Sequence, residues 1–357
     1  MTSFAFESQA SRVVFGEGCI TQLSHEIERL SCTRVMLVAT PGRSSVTARA
    51  RDLLGDHVVE VFERAVVHVP QEIALISRER AAESKANVIV ALGGGSAIGV
   101  AKAIALTSSM PIVAVPTTYG GSEMTPIWGM TQEGKKETGR NARVQPRVVI
   151  YDPELTLSLS PRTTATSGLN AMAHCIEALY ATDANPLTTC VASEGLRLLA
   201  GSLPRLAASP TDRGQRADAL RGAWLAGFSL GTVQMALHHK LCHTLGGSFD
   251  LPHSDTHAVL LPYTAAYNRD AASDAMHVAA RILEVEDAPM ELLSIARETG
   301  APLSLKEIGF REEDLDRAAD LALERQYPNP APITLSAVRG LLEAAFRGDG
   351  DYITNKN

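Results

Sequence analysis

Short apolar runs punctuate the first half of the chain. They fall at residues 11–16 (SRVVFG), 34–39 (RVMLVA), 58–62 (VVEVF), 87–92 (NVIVAL), 112–115 (IVAV) and 147–151 (RVVIY). Continuous runs of this length, rather than alternating ones, predict strands buried on both faces. Helix-length segments separate them. Residues 20–30 put Ile20, Leu23, Ile27 and Leu30 on one helical face, and residues 71–84 follow Pro70, a permissive helix start. Strands alternating with helices predict βαβ units and a parallel sheet. The reading is a Rossmann-like, dinucleotide-binding α/β domain over residues 1–155.

The pattern changes near residue 155. Helical spacing then dominates at residues 160–181, 186–207, 217–227, 233–246, 253–268, 276–285, 289–299, 312–324 and 333–346. Residues 156–357 are therefore read as an all-helical domain. With the loops beyond the strand ends, it is expected to form a cleft that handles substrate.

Composition narrows the function class. Of 357 residues, 45% are apolar and 20% charged, enough for sizeable cores. The net charge of −7 argues against nucleic acid as a partner. No apolar run is long enough to span a bilayer, and no signal peptide is expected, so no membrane partner is expected either. Cys19, Cys32, Cys175, Cys190 and Cys242 are odd in number and form no CxxC. Reduced thiols in a cytosolic enzyme fit that pattern.

Two loops carry the phosphate signal. Gly93, Gly94, Gly95 and Ser96 join the strand at 87–92 to a helix over 97–105. Glycines let backbone approach a ligand closely, and the helix N-terminus suits a pyrophosphate. The text is neither GxGxxG nor a P-loop. The second loop is PTTYGGSE at 116–123, where Thr117, Thr118, Tyr119 and Ser122 offer hydroxyls beyond a strand's carboxyl end. Thr40 follows the strand at 34–39, where a dinucleotide fold often places an acid on the ribose. The Thr40-Pro41-Gly42-Arg43 loop has no carboxylate, so NADH and NADPH both remain open.

Six of ten histidines concentrate in two stretches: His174 in 167–181, and His238, His239, His243, His253 and His257 in 236–262. Asn170 and His174 share one helix face, as do His239 and His243, and His253 opens the next helix. Buried imidazoles need partners or cost on the order of 1–3 kcal/mol each. A transition-metal site would explain the cluster. A carboxylate or thiolate is normally part of such a site, and Asn170 is a neutral amide where one would be wanted. His25, His57, His68 and His277 read as solvated or packed side chains.

These segments resemble the iron-containing (group III) alcohol dehydrogenases along nearly the whole chain. The motifs are GGGSAIGVAKAIAL (93–106), PTTYGGSEMTPIWGMT (116–131), TGRNARVQPRVVIYDPELT (138–156), SGLNAMAHCIEALYA (167–181), HHKLCHTLGGSFDLPH (238–253) and YPNPAPI (327–333). Within the family the text is similar to the maleylacetate-reducing branch. By position, the family's metal ligands fall on Asn170, His174, His239 and His253, and Asn170 stands where the metal-dependent members have Asp. His243 falls on the histidine beside the nicotinamide. Lys135 or Lys136 falls near the cofactor-facing lysine. Gly99 replaces an Asp and so removes a polar cofactor contact. The resemblance implies NADH or NADPH as cofactor, no metal, a small dicarboxylate substrate and a homodimer.

The implied reaction reduces the C=C bond of 2-maleylacetate to 3-oxoadipate, a step in breaking down resorcinol-, hydroxyquinol- or chlorocatechol-type rings. Negative charge then develops on the ketone oxygen, which needs preorganised donors. His243 and His253 are assigned to stabilise or protonate the enolate, and His174, His239 and Asn170 to orient the substrate. Lys240, Arg140, Arg143 and Lys136 are candidate partners for the two carboxylates. The main rival is a metal-dependent alcohol or aldehyde dehydrogenase on the same fold. A dehydroquinate synthase-like lyase would want several Lys and Arg in its pocket, and the two histidine stretches offer only Lys240. A non-catalytic nucleotide-binding protein would have no use for the histidines.

Overall fold

The computed structural model describes residues 4, 6, 11–42, 44–132, 135–325 and 327–354, with the side chains of residues 44, 135 and 136 also outside the description. The chain separates into two compact units, one of Glu7–Leu159 and one of Ser160–Asn357 together with Met1–Phe6.

The first unit is built on β1 (Arg12–Phe15), β2 (Val35–Ala39), β3 (Val58–Phe62), β4 (Val88–Gly93), β5 (Ile112–Pro116) and β8 (Val148–Tyr151). They form one six-stranded sheet in the order β1-β8-β5-β4-β2-β3, parallel throughout. The apolar runs form strands because both faces are covered. Val35, Leu37, Val88, Val90, Val113 and Val148 enter one core, while Met36, Val38, Ile89, Ala91 and Ile112 enter the other. That period of two follows from strand geometry. Helices α1 (Leu23–Arg29), α2 (Ser44–Leu54), α3 (Gln71–Glu83) and α4 (Gly95–Ser108) connect the strands. A polar hairpin, β6 (Ile127–Gln132) with antiparallel β7 (Lys135–Arg140), lies outside the main sheet.

Strand order reverses between β2 and β4: the chain leaves β2 for the edge strand β3 and returns to build outward through β4 and β5. Ligands of open parallel sheets bind beyond the carboxyl ends at such a reversal. Thr40, the 93–96 turn and the 117–122 loop all leave those ends.

The second unit is helical: α5 (Pro161–Leu179), α6 (Pro186–Ala208), α7 (Arg213–Thr232), α8 (Leu237–Phe249), α9 (His253–Asn268), α10 (Ser273–Leu283), α11 (Ala288–Glu298), α12 (Leu315–Leu323), α13 (Leu335–Arg347) and α14 (Asp351–Thr354). Helix starts follow side-chain caps: Ser160 for α5, an Asn185–Thr188 capping box for α6, Asp212 for α7 and Asp287 for α11. α5 is buried from Thr164 to Leu179 and packs against α6, α7 and α9. Arg162 at its start donates to Asp255 of α9 at 2.7 Å. The polar side chains of α5 thus point into the interior, where each needs a partner. No described helix is long and apolar enough to cross a membrane.

Candidate active site

In the sheet unit, β4 runs into Gly93, whose φ of 143° is a conformation glycine adopts freely. A Cβ on Gly93 would lie 3.0 Å from the Thr40 hydroxyl oxygen. One on Gly94 would lie 2.8 Å from Thr118 Oγ1. The Thr117 N–H also donates to the Gly93 carbonyl at 3.1 Å. Three loops therefore meet at a glycine turn with little room for a side chain at Gly93 or Gly94, flanked by the hydroxyls of Thr40 and Thr118. Gly94 caps α4 without a side-chain bond to the first turn, which leaves N–H groups and the positive helix end for an anion. Gly95 is exposed and Ser96 half-exposed at this end.

The other loop residues face inward. Thr117 and Tyr119 are fully buried. Ser122 is engaged by Lys102, a residue for which the sequence reading gave no role. Lys102, on α4, is itself buried, and its ammonium donates to the carbonyls of Ser122 (2.7 Å), Thr125 (2.8 Å) and Ile127 (2.7 Å) and to the hydroxyls of Ser122 (3.2 Å) and Thr125 (2.9 Å). It clamps the segment that continues the second ligand loop. Burial pulls the Lys102 ammonium down to about 7, against the Glu123 carboxylate, which raises it. Glu123 accepts from the Tyr151 hydroxyl at 2.9 Å, and burial pushes both groups up. The signal for Lys102 was a lone charge inside the apolar text of 97–106. At Gly99, a Cβ would lie 2.7 Å from Val69 Cγ2, so that position packs against the segment that leads into α3. The Lys136 side chain lies outside the described residues. Arg140 and Arg143 are exposed.

In the helical unit, α5, α8 and α9 bring six imidazoles together. Ring centroids lie 4.9 Å apart for His174–His239, 4.8 Å for His238–His257, 5.0 Å for His239–His257, 4.5 Å for His253–His257 and 6.3 Å for both His239–His243 and His243–His253. Asn170 lies one turn before His174 on α5 and is buried, and its Oδ1 has no hydrogen-bond partner among the described residues.

Two hydrogen-bond chains organise the rings. The first starts at Glu177, buried on α5. Its Oε1 accepts from the His238 N–H at 2.8 Å, and its Oε2 accepts from the Ala236 N–H at 3.1 Å and from His239 Nδ1 at 2.5 Å. Backbone donors serve both oxygens, so the carboxylate accepts and His239 Nδ1–H donates. With one proton per ring, His239 Nε2 holds a lone pair, and His174 Nδ1–H donates to it at 2.9 Å. The second chain starts at Thr264. Its hydroxyl proton goes to the carbonyls of Leu260 (2.9 Å) or Leu261 (3.2 Å), so Oγ1 accepts from His238 Nδ1–H at 2.9 Å. His238 Nε2 then accepts from His257 Nδ1–H at 2.9 Å. The N–H groups of four imidazoles are thereby committed within the protein. Burial first, and neighbouring imidazoles second, push His238 and His257 well below 6.5, so both stay neutral.

The sequence reading gave Glu177, His238 and His257 no role. Glu177 sits one helical turn beyond His174, a carboxylate-to-imidazole spacing that sequence could have flagged. Cys242 joins His238 and His257 in a group whose ligand atoms lie within 4.8 Å of one another. In that group His238 Nε2 and His257 Nδ1 already share a proton with each other. Lys240, half-buried, stands 5.9 Å from the centroid of the Tyr327 ring.

Comparison with known proteins places this arrangement. Two family profiles match in succession: "Iron-containing alcohol dehydrogenase" over residues 10–153 and "Fe-containing alcohol dehydrogenase family, C-terminal" over residues 164–346. The maleylacetate reductase of Burkholderia cepacia is 51% identical over 98% of this chain and 99% of its own length. That of Pseudomonas knackmussii is 46% identical over 97% and 98%. The crystal structure of maleylacetate reductase from Agrobacterium tumefaciens superposes with a TM-score of 0.92 at 45% identity, over 98% of this chain and 99% of that one. A 1,3-propanediol oxidoreductase shares the fold at a TM-score of 0.91 and 25% identity, over 96% and 100%. The parallel sheet with its glycine turn and the helical unit with its imidazoles are thus the two halves of one known architecture, and the chain belongs to the iron-containing alcohol dehydrogenase family.

Proposed function

We propose that the protein is a maleylacetate reductase that uses NADH or NADPH to reduce the C=C bond of 2-maleylacetate, giving 3-oxoadipate. The likeness to reductases of that name over nearly the full chain carries this reading. The sheet unit is assigned to the cofactor and the helical unit to the substrate. Gly93, Gly94, Gly95 and Ser96, with the hydroxyls of Thr40 and Thr118, suit the pyrophosphate and ribose, because a Cβ on Gly94 would fill the cradle. Thr117, Tyr119 and Ser122 shape the second loop from inside. When bound, the reduced nicotinamide supplies the hydride.

The histidine cluster deals with the charge left on the substrate. Hydride addition β to the ketone turns its oxygen into an enolate, which must be met by donors in a dry site. His174, His238, His239 and His257 have committed their N–H groups elsewhere. On the family resemblance, and on their place beside each other in the ring cluster, His243 and His253 are assigned as donor to the enolate oxygen and proton source for the α carbon. Asn170, His174 and His239 orient the substrate.

The residues at the family's metal positions do not fit a divalent ion. Asn170 brings no charge where a carboxylate would. No step is assigned to a metal. The reading extends to a cytosolic homodimer, on the family resemblance and the free thiols of Cys19, Cys32, Cys175, Cys190 and Cys242.

The test is loss of nicotinamide absorbance with maleylacetate, before and after chelation with EDTA, together with metal analysis. Turnover that survives complete chelation supports the reading. Turnover lost with a stoichiometric ion, and restored by it, supports the metal-dependent dehydrogenase instead.

A further inference from the structure

The bend that joins β3 to α3 is strained where no helix ending explains it. His68 and Val69 are consecutive residues in the left-handed region, at φ of 61° and 45°. Among the described residues, the other non-glycine positions with positive φ are Ser31, Lys85, Ser109, Asp250 and Glu284, and each lies at the end of a helix, where a left-handed residue is usual. Val69 is the one β-branched residue in that set, the side-chain type that tolerates this backbone least, and it precedes Pro70, which favours extended backbone. Strand β6 holds the bend in place. The Thr131 N–H donates to the Val69 carbonyl at 3.1 Å, and the Thr131 hydroxyl donates to the His68 carbonyl at 3.0 Å. Glycine would adopt this bend freely. What valine adds is a methyl: Val69 is buried, and its Cγ2 lies 2.7 Å from where a Cβ on Gly99 would stand.

We infer that Val69 is a positioning residue for the cofactor: it is a wedge, pinned by β6, that sets where the phosphate-binding start of α4 stands relative to the second ligand loop. The inference rests on the cofactor reading of the glycine turn. Gly95, Gly99 and Lys102 succeed one another along one face of α4, about one turn apart. Lys102 grips the Ile127 carbonyl at the start of β6, and Val69 ties Gly99 to Thr131 near that strand's end. The loop of residues 117–122 runs on into β6, and its Thr118 Oγ1 lies 2.8 Å from where a Cβ on Gly94 would stand. A shift of α4 against β6 therefore changes the width of the pyrophosphate cradle. The ammonium holds one point of the helix. A second, rigid contact one turn nearer the glycines fixes its direction. Backbone strain of this kind persists where the surrounding structure over-determines it, and it concentrates at ligand sites.

Val69→Gly relaxes the bend and removes the methyl. We expect the Kd and KM for NADH or NADPH to rise about 10-fold, with kcat at saturating cofactor and the KM for maleylacetate little changed. Cofactor Kd is read from nicotinamide fluorescence without substrate. Gly99→Ala pushes Val69 away and should raise the same two quantities. Combining it with Val69→Ala should recover most of the loss, because the clashing methyl is gone. Thr131→Val keeps the backbone N–H but removes the bond to the His68 carbonyl, and should act in the same direction. Thr131→Ser should restore wild-type binding. Lower thermal stability with an unchanged cofactor Kd in Val69→Gly overturns the inference, and so does a double variant that binds no better than Gly99→Ala. If Val69→Gly does not fold, the Thr131 pair decides: equal cofactor Kd in Thr131→Val and Thr131→Ser overturns it. A wild type that binds neither NADH nor NADPH refutes the cofactor reading itself, whereas equal binding by the wild type and every variant refutes the wedge alone.

Discussion

Acid should destabilise this fold through His238 and His257 in particular. Both are buried and held neutral, well below their ordinary 6.5. In the unfolded chain they titrate normally. Above 6.5 neither state binds the protons, and the two groups leave stability unchanged. Below it the unfolded state takes up protons that the folded state refuses, so stability falls with falling pH until the folded values are reached. Between about pH 7.5 and about pH 5 the loss is about 2 kcal/mol for each imidazole, or about 4 kcal/mol together. Against a typical total of about 5–15 kcal/mol, that is a large share. The assay is urea unfolding followed by far-UV circular dichroism in steps of pH. His257→Asn can still donate to His238 Nε2 but no longer titrates. Its stability should change less with pH, by about 1.4 kcal/mol per unit below 6. Equal slopes for variant and wild type would refute the reasoning, because the imidazole would then be charged in the folded state or left exposed.

Lys102→Met strands the carbonyls of Ser122, Thr125 and Ile127, at about 1–3 kcal/mol for each acceptor left unpaired, so cofactor KM should rise with little change in substrate KM. In the wild type, cofactor KM should climb as pH passes about 7, where the Lys102 ammonium loses its proton, and the variant's should stay flat over the same range. Gly94→Ala forces Thr118 away and should raise cofactor KM, and adding Thr118→Ala should recover part of the loss by removing the clashing oxygen. His243→Ala should cut turnover by about 100-fold in steady-state assays, and near-normal turnover would remove it as the acid.

The sheet was legible because its strands are buried on both sides. Val35–Ala39 and Ile112–Pro116 have no polar face to interrupt the run. The β6–β7 hairpin gave no such signal: IWGMTQ and KKETGR are polar or half-exposed, and no Asn-Gly or Asp-Gly pair marks the turn. α2 was missed for a related reason, since SSVTARARDLL mixes β-branched and charged residues. α8 starts at Leu237 rather than at the expected residue 233, because Val233 closes α7 and Asp183 takes the Gln234 N–H at 2.9 Å. The family resemblance found the imidazoles of His174, His239, His243 and His253. It did not find the groups that set their protons. Glu177 and Lys102 leave only a faint mark in the sequence, a carboxylate one turn after His174 and a lone charge in apolar text, and their partners, like those of Thr264, are distant in sequence and do not show in a linear text.

The charges explain why Asn170 suits this site. Glu177 is a buried carboxylate bonded to two backbone N–H groups, the His239 imidazole and the Tyr180 hydroxyl. A second carboxylate at position 170, one turn before His174, would sit near it with no cation to offset the pair. Two uncompensated anions in so dry a place cost several kcal/mol or force a proton onto one of them. A divalent ion would remove that conflict, and the metal-dependent members' Asp fits such an ion. An amide removes it differently, by bringing no charge at all. With Asn170 the cluster keeps a single carboxylate, that of Glu177, bonded to His239. On the reductase reading, a dianionic substrate and then its enolate meet no carboxylate at position 170. On the reductase reading, the amide at position 170 and the hydrogen-bond chain from position 177 are two parts of one electrostatic arrangement.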